Sequence, residues 1–429
     1  MTILTSLFSG VSGLNANGSA ISIIGNNIAN MNTTGFKAST ATFADVIGQD
    51  LAGSSGSSQI GRGVFLSSVN PTFTQGSFET TSSALDLAID GDGFYMVEDS
   101  SGATFYTRAG QFDMDKDGNI VNPDGLILQG YQVDSAGNIT GTIDDLTISS
   151  STSPPRATTD AEIAANLDSS STIPAAFDVT DPTSTSNFST AMTVYDSLGN
   201  GHLVTVYFRK SAEAVTGNTW EWYAVVDGAE LTGGVTAIQA QGTIDFDTTG
   251  AMDTVTTTLS DFDFSGGATQ SQAITFDFGS TIAGGGTGLD GTTQFGSTSA
   301  TVSQNQDGYS SGDLQGFSID QDGLITGLFT NGQTRVLGQV ALSTFSSPDG
   351  LTMMGSNLYA ESFESGQPIV GAPNTAGRGS IFANSLELSN VDLGSEFINL
   401  ITAQRGFQAN SRIITTTDEI LGELVNLKR

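Results

Sequence analysis

The sequence predicts a multidomain, mainly β protein in which nested β domains are held between long amino- and carboxy-terminal α-helices that form a coiled-coil-like inner layer. Three observations carry this. Apolar residues recur on alternating three- and four-residue steps over the first thirty and last forty residues. Between them, short runs rich in β-branched and aromatic residues are punctuated by Asp-Gly and Asn-Gly turns. The style of the first β region also returns late in the chain, around a middle segment of different texture. The expected organisation is terminal helices at 1–35 and 385–429, extended linkers at 36–68 and 363–384, a discontinuous β domain at 69–157 and 301–362, and an inserted outer β domain at 158–300.

The opening segment places Leu4, Leu7, Val11, Leu14, Ile21 and Ile28 on the three-four spacing, with Ile24 beside them. Gly18 and Gly25 take the two remaining seam positions, where a second helix could approach closely. No Asp, Glu, Lys or Arg precedes Lys37, and Asn15, Asn17, Asn26, Asn27 and Asn30 make the segment polar instead of greasy. The closing segment answers with Leu393, Phe397, Leu400, Phe407, Ile414 and Leu421, interrupted by Gln404, Ser411 and Asp418 and widened by Ile401, Ile413, Ile420 and Leu424. At about 1.5 Å per residue such a helix runs to about 60 Å, too long for one small domain to cover. A plain intramolecular pair that closes the domain is one reading. Burying the seam of a single pair offsets only part of the entropy of ordering it, so helices completed by neighbouring copies are the other.

Residues 30–35 have a turn composition, and 38–65 are rich in Ser, Gly and Ala. From Val69 the alternation turns strand-like at 72–78, 85–89 and 93–97, with hairpin turns expected at Asp90-Gly91-Asp92-Gly93, Asp117-Gly118-Asn119 and Asp124-Gly125. The insert has two strong strands, 203–208 and 220–226. Val204, Val206 and Phe208 share one face, and Trp220 with Trp222 another, which makes an aromatic hairpin core. After Asp307-Gly308 the earlier style resumes, with strands at 335–345.

Composition excludes several functions. A net charge of -32 opposes binding to nucleic acid or an anionic membrane. Zero cysteines exclude a disulfide framework, a thiolate metal site and a Cys nucleophile. The amino terminus has no basic region and its apolar positions are interrupted, so no cleavable signal peptide or membrane span is expected. Asp113, Asp115, Asp117, Gly118 and Asp124 match the opening and end of a calcium loop, but the flanks read as strands and the last position lacks Glu, so a solvated hairpin is expected. His202, the one histidine, falls at the start of a strand with no Cys to complete a triad or a zinc site, and is read as an ordinary residue. No catalytic residue, metal or cofactor is expected.

Gly13-Leu14-Asn15-Ala16, Gly25-Asn26-Asn27-Ile28-Ala29-Asn30 and Thr34-Gly35-Phe36-Lys37 resemble the amino-terminal signature of the bacterial flagellar rod and hook proteins. Ser389-Asn390-Val391-Asp392, Phe397, Ile401, Gln404-Arg405 and Phe407-Gln408-Ala409-Asn410-Ser411 resemble their carboxy-terminal signature. Residues 84–91 and Tyr106-Thr107-Arg108-Ala109-Gly110 are similar too. The length and large insert resemble the hook members, with a distal rod protein as the alternative. The resemblance implies a flexible curved tube that serves as a universal joint between rod and filament, built as a homopolymer. It implies contacts with the distal rod, hook cap and hook-filament junction proteins, and export through the flagellar type III machinery to the outside of the cell. A calcium-dependent adhesin or a secreted polysaccharide hydrolase are the readings from other classes.

Overall fold

The computed structural model describes residues 2–50, 59–134, 137–148, 152–214 and 217–426. It is mainly β, with one helix at each end of the chain: α1, Thr2–Ala29, and α2, Leu393–Asn426. The chain divides into two compact units, the first comprising Met1–Ser150, Gly316–Leu328 and Thr334–Arg429, the second Ser151–Gln315 and Phe329–Gln333.

The second unit is built on a five-stranded antiparallel meander in which Phe188–Tyr195, Gly201–Ala214, Gly217–Val226, Ala237–Phe246 and Met252–Ser260 pair in chain order. Its core follows from period-two alternation: Val204, Val206, Phe208, Trp220 and Trp222 are all fully buried, joined by Ile244, Phe262, Phe276 and Phe278. A three-stranded sheet places Asp160–Asn166 between Thr275–Asp277 and Ala300–Gln306. That pairing keeps residues 300–306 with the insert. The expected return of the first β domain at 301 therefore comes later, near Gly316.

In the first unit, early and late strands share sheets. Ile127–Val133 pairs with Phe94–Glu98 through Ile127 and Leu128 and with Thr334–Val340 through Gly130 and Tyr131, and Thr104–Thr107 pairs with Leu358–Ala360. Three local expectations change. Asp90-Gly91-Asp92-Gly93 is no hairpin turn, because Leu87–Asp90 pairs with Ser380–Ala383 whereas Phe94–Glu98 pairs with Thr104–Thr107. The segment read as an extended linker at 36–68 contains Ser39–Asp45 paired antiparallel with Val64–Pro71. The one at 363–384 contributes Ile369–Gly371 and Ser380–Ala383 to sheets. Low hydrophobicity hid these strands, whose partners lie far along the chain or, for 39–45, some twenty residues on.

The acidic turns share one design. At Asp99, Asp115, Asn122, Asp196, Asp247 and Asp320 the side-chain Oδ1 accepts from the N–H groups two and four residues on. The glycine three residues on adopts a positive φ, between 72° and 86°. The calcium-like stretch is one of these turns, joining the antiparallel strands Asp113–Met114 and Ile120–Val121. Its Asp115 carboxylate is occupied by backbone donors and by Asn119. Asp115 is held below the usual carboxylate range chiefly by the Asn119 side chain.

Candidate functional site

The two helices pack antiparallel at the far ends of the sequence. Gly10 faces Ile413 and Ile414, Gly13 faces Asn410, Gly406 faces Asn17, and Asn27 reaches Glu396. The closest approach is a reciprocal clasp. Each helix carries Gly-x-x-x-Asn, and each Asn donates from Nδ2 to the carbonyl of the glycine four residues earlier, Asn17 to Gly13 at 2.7 Å and Asn410 to Gly406 at 3.0 Å. Each amide thereby sits over the glycine of the opposite helix: a Cβ at Gly13 would lie 2.7 Å from Asn410 Nδ2, and one at Gly406 2.6 Å from Asn17 Oδ1. Each amide thus spends one N–H on its own helix backbone and packs as a flat spacer against the facing glycine. Ile24, Ala403 and Thr417 are buried along the same row.

This moves the seam. The expected glycines of close approach, Gly18 and Gly25, have nothing within 4 Å of where a Cβ would stand. The expected seam of α1, Leu7, Val11, Leu14, Gly18, Ile21, Gly25 and Ile28, lies about a quarter of a turn from the row that meets α2. Its members are half-buried or exposed, Val11 at 41%. The side chain of Leu4 lies outside the described residues. On α2, Leu393, Leu400, Ile414 and Leu421 are half-buried, while Phe397 and Phe407 are exposed at 51% and 36%. Phe8, Ile398, Ile401, Ile413 and Ile420 are exposed as well. A three-four count finds an apolar stripe but cannot say which edge the partner takes when glycine and asparagine pack closer than leucine.

Where the helices meet the β domain, the amino-terminal motif takes up defined roles. Asn26 and Ala29 are exposed on α1, and Asn30 caps the helix by donating to the Asn26 carbonyl at 3.0 Å. Asn27, 1% exposed, pins Ser39 as a strand neighbour would, donating to its carbonyl and accepting from its N–H, both at 2.9 Å. Thr34 accepts at its carbonyl from Asn357 Nδ2 at 2.9 Å. Gly35, at φ +68°, lies against the Arg108–Ala109 backbone, where a Cβ would meet Ala109 N at 2.5 Å, and its N–H donates to the Glu387 carbonyl. The Phe36 carbonyl accepts from Asn390 N–H, so the motif is tied to the last residue of the strand Ser385–Glu387 and to the segment that follows it.

Lys37 completes the junction. Its Nζ lies 2.6 Å from Glu387 Oε1, both side chains being fully buried, and 2.8 Å from the Thr74 carbonyl. The same Glu387 oxygen accepts from Gly76 N–H and Gln75 Nε2, and Arg108 approaches the other at 3.5 Å while donating to the Gly91 carbonyl at 2.7 Å. Burial lowers Lys37 and Arg108 from their ordinary values, and the Glu387 carboxylate acts against that in both. Tyr95 beside them is pushed up by burial. One carboxylate thus holds two cations from two distant parts of the chain, which locks the helix exit onto the β domain. Glu387 escaped the sequence reading. Its signal was there: a lone acid in Leu386-Glu387-Leu388, with one of only 13 basic residues inside the Thr34–Lys37 motif.

His202 is buried in the second unit, with Nε2 3.1 Å from Asp196 Oδ2, Nδ1 3.2 Å from Glu230 Oε2 and its ring stacked on Phe264. Among the described residues no group of His, Asp or Glu is arranged to hold a metal ion, and no helix is long and apolar enough to cross a membrane.

Four family descriptions match successive parts of the chain: "Flagella basal body rod protein" over 7–37, "Flagellar hook protein FlgE/F/G D1 domain" over 88–166, "Flagellar basal body protein FlaE D2 domain" over 166–309 and "Flagellar basal body rod FlgEFG protein C-terminal" over 383–427. Among curated relatives, the flagellar hook protein FlgE of Salmonella typhimurium is 36% identical over 97% of this chain and 98% of its own length. Those of Treponema pallidum and Borreliella burgdorferi are 35% and 33% identical, over 100% and 99% of this chain and the whole of each relative. The crystal structure of Helicobacter pylori flagellar hook protein FlgE2 shares the fold, with a TM-score of 0.50, 16% identity and coverage of 72% of this chain and 100% of that one. With its two terminal helices packed antiparallel, β units built from the chain that joins them, and relatives of 33–36% identity matched over their full length, the chain belongs to the flagellar hook protein family.

Proposed function

We propose that this hook subunit polymerises through the faces of α1 and α2 that the single chain leaves uncovered. The observation that carries this is the pair of partly open rows: exposed Val11 with half-buried Leu7, Leu14, Ile21 and Ile28 around the bare Gly18 and Gly25, and exposed Phe397, Ile398, Ile401 and Ile420 on α2. Rows this apolar, on a chain of net charge -32, are suited to burial against other copies. In this reading the helices form the packed inner layer of a curved tube, and the first unit's β body and the 151–315 insert form its outer shells. Bending is accommodated by polar β surfaces that slide while the helices stay joined. The tube acts as a universal joint, its ends meeting the distal rod, hook cap and junction proteins, with export through the flagellar type III apparatus. The role is structural, without catalysis.

The test is Ile21→Asp in the full-length chain. A carboxylate buried in the inner layer with no partner costs several kcal/mol per subunit. Tubes induced by ammonium sulfate, which screens charge and strengthens apolar burial, are expected from the parent and absent from the variant, with both β units still folded by circular dichroism. Normal tubes from Ile21→Asp in electron micrographs would refute the proposal.

A further inference from the structure

At about 100° per residue, α2 carries three strips about a third of a turn apart. Ala403, Gly406, Asn410 and Thr417 meet α1. Phe397, Leu400, Phe407 and Ser411 form the second, a partly open row that continues into the exposed Asp418. The third holds Arg405 and Arg412, both exposed and one heptad apart.

The chain itself leaves these charges uncompensated. Among the described residues neither arginine makes an ion pair, whereas Lys37, Arg108, Lys116, Arg156 and Arg209 all do. No acid lies three or four residues from Arg405 or Arg412, and no cation lies that far from Asp418, so α2 offers no salt bridge along its own surface. If other copies cover the row, Asp418 is buried with it, and a carboxylate buried without a counter-charge is costly. The α1 helix of a second copy has none to give, since it contains no Lys or Arg. The α2 helix of a second copy has two. Packing at equal height fails, because the arginine strip runs on into Glu419 and Glu423 and would set acid against acid. Sliding one helix along the other brings Asp418 level with Arg412 after six residues or Arg405 after thirteen, about 9 or 20 Å.

We infer that the Asp418 row of one copy packs against the Arg405–Arg412 strip of α2 in a second, staggered copy, with Asp418 setting the register. This rests on the reading that the chain polymerises. Row and strip are different faces of one helix, so the contact is heterologous and repeats along a strand instead of closing a dimer. Each α2 then has its own α1 on one third of its circumference and other copies on the remaining two.

The experiment uses full-length chains carrying Asp418→Arg, Arg412→Glu or Arg405→Glu, all at exposed positions that leave the monomer's circular dichroism unchanged. Assembly is followed at the lowest sulfate concentration that yields tubes from the parent, where screening is least. Asp418→Arg alone sets like charges together and should raise the protein concentration needed for tubes roughly thirtyfold or more. An equimolar mixture of Asp418→Arg with either Arg412→Glu or Arg405→Glu should assemble near the parent's concentration, because alternating copies then meet as opposite charges at every contact. The arginine whose variant rescues fixes the stagger. Assembly of Asp418→Arg at the parent's concentration, or mixtures that assemble no better than Asp418→Arg alone, overturns the inference alone. A parent chain that never assembles overturns the polymerisation reading together with it.

Discussion

The core of the second unit and the pair of terminal helices bury apolar side chains by the same effect and reach opposite outcomes. Around Trp220 and Trp222 the inward faces of the second unit's strands pack on one another within the same chain, and both indole N–H groups are buried without a protein partner among the described residues. Along α1 and α2 the intrachain contact is made by Gly10, Gly13, Asn17, Gly406 and Asn410, while most of the isoleucines, leucines and phenylalanines point elsewhere. A sheet has two faces, and a second sheet can cover the inner one. An apolar helix has a whole circumference, and one partner covers about a third of it. The insert closes its core within one chain, whereas in the proposed polymer other copies complete the helices.

The largest effects should separate the two regions reciprocally. Glu387→Gln leaves Lys37 and Arg108 buried without a counter-charge, at a cost of about 3–5 kcal/mol. It should lower the melting temperature of the first unit while tryptophan emission stays unchanged, since both tryptophans lie in the second. Trp222→Ala should do the reverse at a cost of about 3–5 kcal/mol, melting the insert early and leaving the first unit's transition in place. Calorimetry and fluorescence together check both, and a single shared transition in either variant would dissolve the comparison.

Smaller effects sharpen it within the helices. Gly13→Ala places a methyl against the Asn410 amide and should loosen the clasp by roughly 1–3 kcal/mol. Gly18→Ala meets open space and should strengthen the monomer's helix by up to about 1 kcal/mol. Amide exchange of α1 in the unassembled chain should speed up for the first and slow for the second. Equal responses would mean that the helices are not packed as described.

The smallest effect expected is that of acid on the insert. Burial of Asp196 favours its neutral form, but Asn200, His202 and two backbone N–H groups outweigh this and hold the carboxyl below the ordinary range. A carboxyl with a depressed folded value stabilises the fold fully above about pH 4 and loses that contribution as pH falls through the folded value. The insert's stability should therefore decline below pH 4, and Asp196→Asn should flatten that decline in urea titrations followed by tryptophan emission.

Much of this was legible in the residues themselves. Local periodicity identified both helices, and alternation identified the core of Val204, Val206, Phe208, Trp220 and Trp222, because a strand's two faces and a helix's stripe are set by backbone geometry alone. The signatures at the two ends pointed to the family, since Asn27, Gly35 and Lys37 serve backbone and charge contacts that few other residues can make. What only the tertiary structure decided is which partner each face meets. The shift of the seam from Gly18 and Gly25 to Gly10, Gly13 and Gly406 depends on two asparagines bonding back onto their own helices. The role of Glu387 depends on Lys37 and Arg108 arriving from 350 and 279 residues away. The weak strands near 39–71 and 369–383 take their pairing from each other or from strands far along the chain. Contacts between residues that distant leave no periodic trace in the sequence, because their energy belongs to the pair and not to either segment.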